Sequence, residues 1–326
     1  MNRMFGFDAA AYSPRYDSHG FVHIRGGQTR QFHEKLSGQV ERFLEANRLG
    51  EWHIGEKEQA LYEFPDDADY FTELLDAVSA VCGLERSTLV LSERHIKAYE
   101  PDAGSEPLAH KDRYASQVAV GLSVSVPSAS KLVLYPSDEA WENPYSSSAE
   151  LRRGIAADDL PERRLGKVPP MEIKDSDGDV VMFKGNSFWH TRLNPAGTTM
   201  LYLKLNDFGC DPLKEDPRAR EWRNRSEAAL QLEDEQLAAC RCVLGRSVDH
   251  VQKRYTRDWR EVPGVVFWGS GPQAIDEREF KLLQACGGGR SVREALEAAG
   301  APTGGEGLGL IRRLASLGIV ELTPGA

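Results

Sequence analysis

The sequence predicts a mainly β protein with flanking helices, in which short strands close into a β-barrel or a double-sheet jelly roll. Strand patterns crowd into residues 88–206, proline and glycine punctuate them, and two amphipathic helices precede them. The chain shows no βαβ periodicity of the kind that builds a parallel sheet. Because its 326 residues exceed one typical domain, we expect a further unit after the β region.

The N-terminal part predicts one strand and two covering helices. Residues 20–27 alternate apolar and polar side chains and end in a glycine turn, which is typical of a strand. Apolar residues at helical spacing predict a helix from Thr29 to about Leu49 and a second from Asp67 to Val81, which Gly83 would end. Since a sheet with an apolar outer face must be covered, we expect these helices to pack on one face of it.

The β region contains one unusually regular strand and one long interruption. From Gln117 to Val126, large apolar residues alternate with alanine, glycine and serine, so one face is packed and the other is small or open. Between Ser137 and Pro170 the pattern is lost, and we predict a lid insertion there. Shorter strands are predicted at 88–91, 95–99, 131–136 and 199–205, with others from 171 onward.

A candidate metal site joins two segments of the β region. His110 and Asp112 are two positions apart, so on an extended strand both side chains point to the same side. His190, eighty residues after His110, would complete a set of two imidazoles and one carboxylate with the opposite face of the metal left open. That set suits Fe(II), whereas an H-x-D pair by itself is better explained as two polar residues in a surface turn.

The residues around His190 carry a family resemblance. Gly178-Asp179 opens a strand, Phe188-Trp189-His190 follows, and the H-x-D pair comes first in the chain. This arrangement resembles the Fe(II)/2-oxoglutarate-dependent dioxygenase superfamily. The Gly20-Phe21-Val22 segment with its following helix is similar to the phytanoyl-CoA dioxygenase branch, whereas residues 99–112 and 131–135 are similar to the prolyl-hydroxylase branch.

The resemblance covers about residues 18–206 and implies a double-stranded β-helix, the cupin-like jelly roll. It also implies a hydroxylase that uses Fe(II), 2-oxoglutarate as cosubstrate and O₂, with ascorbate as a helper. His110, Asp112 and His190 would be the metal ligands and the catalytic residues. Halogenases of the superfamily lack the carboxylate, so Asp112 favours hydroxylation. The substrate would be a small polar metabolite, or a carrier-bound or peptide-bound molecule.

The cosubstrate-binding residue departs from the superfamily pattern. The distal carboxylate of 2-oxoglutarate is usually held by Arg or Lys about ten residues after the distal histidine, where this chain has Met200 and Leu201. Lys204, fourteen residues after His190, lies on the same strand face as position 200 and is the first candidate. Arg192 and Lys131 are the alternatives.

Three further residues are predicted to bind substrate. His95 and Lys97 share one face of a strand just before the H-x-D pair, and Trp141 lies in the lid insertion. The second function in view is a non-enzymatic jelly-roll ligand sensor that signals through the C-terminal module. A complete ligand set favours the enzyme.

The amino-acid composition indicates which partners and which cellular location to expect. The 50 acidic residues outnumber the 40 basic ones and give a formal charge of −10, which argues against nucleic acid as a partner. There is no membrane-length apolar run and no signal-peptide pattern, so we expect a soluble cytoplasmic protein. The odd number of cysteines argues against a disulfide framework, and Cys240-x-Cys242 lies in a segment predicted as helix.

The C-terminal third predicts two further segments after a jelly-roll domain at residues 1–211. Residues 212–263 are charged and helical in pattern, which predicts a helical connector. Residues 264–326 carry capping boxes at Asp276-x-x-Glu279 and Ser291-x-x-Glu294, and they predict three helices and a terminal strand in a winged-helix-like domain. We expect this domain to contact a protein partner, a larger substrate or a second copy of the chain.

Overall fold

The structure, a computed structural model, describes residues 3–47, 56–66, 68–104, 107–136, 141–267 and 272–324. The chain divides into two compact units, Met1–Gly209 and Cys210–Ala326. Each unit has its own hydrophobic core.

The first unit combines helices with two antiparallel sheets. Its helices are α1 (Ser13–His19), α2 (Arg30–Asn47), α3 (Tyr70–Cys82), α4 (Ser148–Gly154) and α5 (Pro161–Arg164). Its strands are β1 (Phe21–Ile24), β2 (Lys57–Leu61), β3 (Val90–Tyr99), β4 (Val118–Ser125), β5 (Lys131–Tyr135), β6 (Met171–Ile173), β7 (Val180–Phe183), β8 (Trp189–Leu193) and β9 (Thr199–Asn206).

The sheet topology is that of a double-sheet jelly roll. The larger sheet has the order β1-β7-β4-β9-β3-β2 and the smaller one the order β6-β5-β8. After β4 the chain passes to the smaller sheet for β5 and β6, returns for β7, and crosses twice more for β8 and β9, which is the alternation that jelly rolls show. An isolated antiparallel bridge between His110 and His190 adds to the edge of the smaller sheet at β8. The mixed α/β unit with its antiparallel sheets is therefore consistent with the predicted jelly-roll core.

The regular strand β4 has one face in the main core and one face of small, closely packed residues. Val118 and Val120 belong to the main core, where apolar residues of α2 and α3 also pack. On the other face Ala119 packs in a second apolar cluster, and Gly121 brings the backbone close to Tyr202, because an added Cβ would lie 3.2 Å from that ring. This face is therefore small, as the alternation predicts, and it is packed and not open.

Strand β3 corrects the strand prediction. The two short strands expected at 88–91 and 95–99 form one continuous strand, which carries a register shift between Leu91 and Glu93. A bulge re-aims the following side chains, and Glu93 is buried as a result. The second of the two predicted covering helices is α3. It begins at Tyr70, and Gly83 ends it in the left-handed conformation directly after Cys82. Asp67, the predicted start, lies outside the described residues.

The predicted lid insertion has its own short helices. Leu151 of α4 and Leu165 pack with Trp189 in a small hydrophobic cluster. The segment 141–170 is therefore held by apolar contacts, while residues 137–140 lie outside the described part of the chain.

The second unit mixes helices and strands where a helical connector was predicted. Its elements are α6 (Ala219–Ala229), α7 (Asp234–Ala239), β10 (Arg241–Leu244), β11 (Val248–Tyr255), β12 (Glu261–Phe267), β13 (Gln273–Ala274), α8 (Glu277–Ala285), α9 (Val292–Ala298), α10 (Gly305–Ser316) and β14 (Val320–Thr323). Residues 212–263 are thus helical only in part, and residue 263 lies within β12. Cys242 lies on β10, so the helix expected around it is wrong.

The terminal part has the three helices and the strand that the sequence predicts. Both capping boxes form, at Asp276 with Glu279 and at Ser291 with Glu294. The terminal strand β14 pairs antiparallel with β10, so the last strand shares a sheet with the segment predicted as connector. The winged-helix assignment stays a prediction. None of the helices in the described ranges is both long and apolar enough to cross a bilayer.

Candidate metal centre

The three predicted ligands lie together in the first unit. The backbone N–H groups of His110 and His190 each donate to the other residue's carbonyl oxygen at 2.9 Å, which places the two side chains next to each other. The backbone N–H of Asp112 donates to the carbonyl oxygen of Gly185 at 2.9 Å. One donor atom from each of the three side chains lies within 4.8 Å of the others.

Both imidazoles are held in the same way. Nδ1 of His110 lies 3.1 Å from the carbonyl oxygen of Leu108, and Nδ1 of His190 lies 3.0 Å from that of Phe188. A carbonyl oxygen only accepts, so we assign the proton to Nδ1 in each ring, and Nε2 carries the lone pair. This is the orientation in which a histidine binds a metal through Nε2.

The surroundings keep both imidazoles neutral. Burial, and then the neighbouring His190, lower the pKa of His110 to about 3. Burial also lowers the pKa of His190, although Asp112 opposes the shift. A neutral imidazole can bind a metal without first losing a proton, so the two rings are prepared for ligation.

The carboxylate of Asp112 is anchored through one oxygen and free at the other. Oδ1 accepts a hydrogen bond from Nζ of Lys204 at 2.7 Å. Oδ2 is buried, has no hydrogen-bond partner among the described residues, and lies 3.9 Å from Nε2 of His190. Burial acts to raise the pKa of Asp112, but Lys204 and the two histidines outweigh it and lower that pKa to about 2. A buried acceptor without a partner fits a site built for a cation.

A buried carboxylate lies behind Lys204. Oε1 of Glu93 is 3.2 Å from Nζ of Lys204 and 3.0 Å from Nζ of Lys97, while Oε2 is 3.0 Å from Arg113. Burial acts to raise the pKa of Glu93, and the two lysines outweigh it, so the pKa lies well below the usual range. Lys204 therefore bridges two carboxylates, of which one belongs to the candidate metal set.

A cavity of about 50 Å³ adjoins the three candidate ligands. It is open enough for little more than a water or two, so a larger ligand requires the flexible side chains around it to turn aside. Its lining includes the three candidate ligands together with Lys57, Lys97, Tyr99, Arg192, Tyr202 and Lys204.

The predicted cosubstrate residues have different surroundings. Lys204 contacts Asp112 and Glu93. Arg192 is buried and forms a two-point ion pair with Asp175 at 3.1 and 2.9 Å, yet its Nε has no hydrogen-bond partner in the described part of the chain. Lys131 lies 2.7 Å from Glu172 and is not among the cavity-lining residues.

The predicted substrate residues are divided between two places. Lys97 lines the cavity, whereas His95 lies on the same strand with its Nδ1 3.5 Å from Glu93. Trp141 contacts Lys111. Nζ of Lys111 lies 3.9 Å from the centroid of the Trp141 ring and donates a hydrogen bond to the carbonyl oxygen of Trp141 at 2.8 Å. A substrate role for His95 and Trp141 stays a prediction.

Sequence reasoning missed Lys57, Glu93, Tyr99 and Tyr202 at this site. The sequence signal for Glu93 and Tyr99 was present. Both residues lie an even number of positions from His95 and Lys97, so they share one strand face with them once β3 is continuous. For Lys57 there was no such signal, since its place depends on β2 pairing with β3.

No family model matches the chain, and no curated protein matches it. Solved structures resemble part of the chain. The non-heme α-ketoglutarate-dependent carbocyclase SnoK from nogalamycin biosynthesis is 17% identical, with 62% of this chain and 84% of that one covered and a TM-score of 0.47. HygX from Streptomyces hygroscopicus, solved with nickel and 2-oxoglutarate, is 14% identical, with 62% of this chain and 88% of that one covered and a TM-score of 0.42. A Pseudomonas putida prolyl-4-hydroxylase is 18% identical, with 61% of this chain and 97% of that one covered and a TM-score of 0.40. Because these likenesses are low, the geometry of the site carries the functional argument.

Proposed function

We propose that the chain is an Fe(II)- and 2-oxoglutarate-dependent oxygenase, a hydroxylase of a small polar metabolite or of a carrier-bound or peptide-bound substrate. The supporting observation is the grouping of two neutral imidazoles and one carboxylate with a free oxygen, their donor atoms within 4.8 Å. Two histidines and a carboxylate on one face of a metal are the ligand set of non-haem Fe(II) oxygenases.

Bound iron and 2-oxoglutarate would supply the activation of O₂. The chain's own residues would hold and orient the metal and its ligands. His110 and His190 offer Nε2, because the carbonyl oxygens of Leu108 and Phe188 occupy the Nδ1 side. Asp112 offers Oδ2, because Lys204 occupies Oδ1.

For the distal carboxylate of 2-oxoglutarate, we favour Arg192 over Lys204 and Lys131. Arg192 lines the cavity and keeps an unpartnered buried Nε–H, which a carboxylate oxygen would satisfy. The ammonium of Lys204 is already engaged by two carboxylates. Arg192→Met should therefore raise the 2-oxoglutarate KM by about tenfold or more while Fe(II) binding is retained.

The experiment that tests the function measures metal and turnover together. The protein is loaded with Fe(II) under anaerobic conditions, and O₂ consumption and succinate release are followed after addition of 2-oxoglutarate and ascorbate. We expect turnover in the native protein and none in Asp112→Ala, which should also lose the metal, since each ligand is one of three protein contacts. Metal binding without any 2-oxoglutarate binding would contradict the proposal.

The sensor alternative has no specific observation in its favour, because a site that only senses a ligand does not need three prepared metal ligands. For the second unit we propose a role in recognising a larger substrate or a protein partner, with the winged-helix assignment as part of that proposal. The absence of nucleic-acid and membrane partners and the cytoplasmic location stay predictions from composition.

A further inference from the structure

Two lysines form one wall of the cavity beside the candidate ligands. Lys57 lies on the edge strand β2, opposite Tyr99 of β3, and its Nζ is 5.5 Å from the centroid of the Tyr99 ring. Nζ of Lys97 is 5.4 Å from the centroid of the Tyr202 ring. Both lysines and both tyrosines line the cavity, so the two ammonium groups are close to whatever enters it.

Lys57 has no anionic partner in the part of the chain that the structure describes. No carboxylate of the described residues lies within 4.0 Å of its Nζ, whereas Lys97 and Lys204 share Glu93. Burial, and then repulsion by Lys97 and Lys204, lower the pKa of Lys57 to about 8. A partly buried ammonium without a counterion is unfavourable, so an incoming oxyanion would relieve an existing cost.

The charge around the site remains positive after the cosubstrate is counted. Five cationic side chains face three carboxylates there, an excess of two positive charges. A divalent metal adds two more, and the two carboxylates of 2-oxoglutarate remove two. The excess of two matches a further anionic ligand. The cations are Lys57, Lys97, Lys204, Arg113 and Arg192, and the carboxylates are Asp112, Glu93 and Asp175.

We propose that Lys57, with Lys97 beside it, binds an oxyanion of the primary substrate, so that the molecule oxidised here is an acid with a carboxylate or phosphate group. The identification of this anion as part of the substrate rests on the proposed function, whereas the oxyanion subsite itself rests on the geometry of the two lysines. The long lysine side chains can turn to follow an anionic group as the narrow cavity admits a ligand.

The subsite is tested first without metal. Inorganic phosphate is titrated calorimetrically into the native metal-free protein and into Lys57→Met, Lys57→Arg and Lys174→Met. Methionine retains the length of the side chain without the charge, and Lys174 is a matched exposed lysine. We expect Lys57→Met to weaken phosphate binding by about tenfold or more, while Lys57→Arg and Lys174→Met retain it. Absence of phosphate binding in the native protein, or equal binding in Lys57→Met, overturns the subsite.

A second titration separates the substrate from the cosubstrate. Protein loaded with Ni(II) in place of Fe(II) is titrated with 2-oxoglutarate, and we expect Lys57→Met to retain the native affinity. If Lys57→Met loses 2-oxoglutarate affinity as far as it loses phosphate affinity, Lys57 serves the cosubstrate, and the assignment to the substrate is overturned. If the native protein does not bind Ni(II), the proposed function fails, and the metal-free titration still decides on the subsite.

Discussion

Nζ of Lys204 lies 2.7 Å from Oδ1 of Asp112, while Oδ2 of the same carboxylate has no hydrogen-bond partner among the described residues. Lys204 is itself held by Glu93, 3.2 Å away on β3. The ion pair therefore engages one oxygen of the carboxylate and leaves the other for a cation. We propose that Asp112 binds the metal through that one oxygen and that Lys204 is its positioning residue.

We predict that Lys204→Met weakens Ni(II) or Fe(II) binding by about ten- to a hundredfold, because loss of a residue that orients a metal ligand typically costs that much. The measurement is anaerobic calorimetry. The sequence-based role for Lys204, binding the cosubstrate carboxylate, predicts instead a raised 2-oxoglutarate KM with metal affinity preserved. Lys131→Met is the matched control, since that ammonium pairs with Glu172 away from the cavity. Preserved metal affinity in Lys204→Met would contradict the positioning role.

Local pattern predicted the strands of the jelly-roll region and the pair of candidate ligands at His110 and Asp112, because both depend on spacing along the chain. The alternation in β4 marks the face that packs in the main core, and the two-residue step from His110 to Asp112 accords with donor atoms that lie within 4.8 Å of each other. The partners of Asp112 and Glu93 could not be predicted in the same way, since they come from strand register. Glu93 stands opposite Lys204 only because a bulge shifts β3 by one residue.

The second unit shows the opposite limit. Its capping boxes at Asp276 and Ser291 were predicted because three residues suffice to define them. The strands β10 and β11 were missed because β10 has only four residues and β11 is mostly polar or charged and only partly buried, so no strand alternation marks them. Pairing with β14, about eighty residues later, determines the conformation of β10 instead.

We predict that Gly185→Ala disrupts the candidate metal site while the fold persists. An added Cβ would lie 2.8 Å from Oδ2 of Asp112 and 2.9 Å from the carbonyl oxygen of Ser116, closer than such contacts allow. The carboxylate of Asp112 would have to move from its present position, and Ni(II) affinity should fall by about tenfold or more. Gly166→Ala is the control, because an added Cβ there meets nothing within 4 Å. Native metal affinity in Gly185→Ala would show that Asp112 does not bind the metal in this position.

We predict that Lys111→Met loosens the insertion at 141–170. Lys111 is fully buried, donates to the carbonyl oxygen of Trp141, and lies 3.9 Å from the centroid of that ring and 5.4 Å from that of Trp189. Loss of the ammonium removes the cation–π contact and leaves the carbonyl without this donor, at a cost of about 1–3 kcal/mol. Limited proteolysis should cleave the insertion faster in Lys111→Met than in the native protein.

The control for this insertion is Lys167→Met, since Lys167 lies in the same segment but is exposed. Its rate of proteolysis should match that of the native protein. If the insertion acts as a lid, 2-oxoglutarate and substrate should slow its cleavage in the native protein. Equal cleavage of Lys111→Met and native protein would contradict the anchoring role of Lys111.

We predict that truncation after Gly209 leaves a folded, metal-binding unit, whereas truncation after residue 270 leaves the second unit with an exposed half-core. Leu237, Cys242 and Val265 share one hydrophobic core with residues of α8, α9 and α10, and β10 would lose its partner β14. Exposed core and an unpaired strand edge promote aggregation. Soluble yield, circular dichroism and Ni(II) affinity of chains 1–209 and 1–270 measure this. A soluble 1–270 chain with the native thermal stability would show that residues 210–270 fold without the terminal helices.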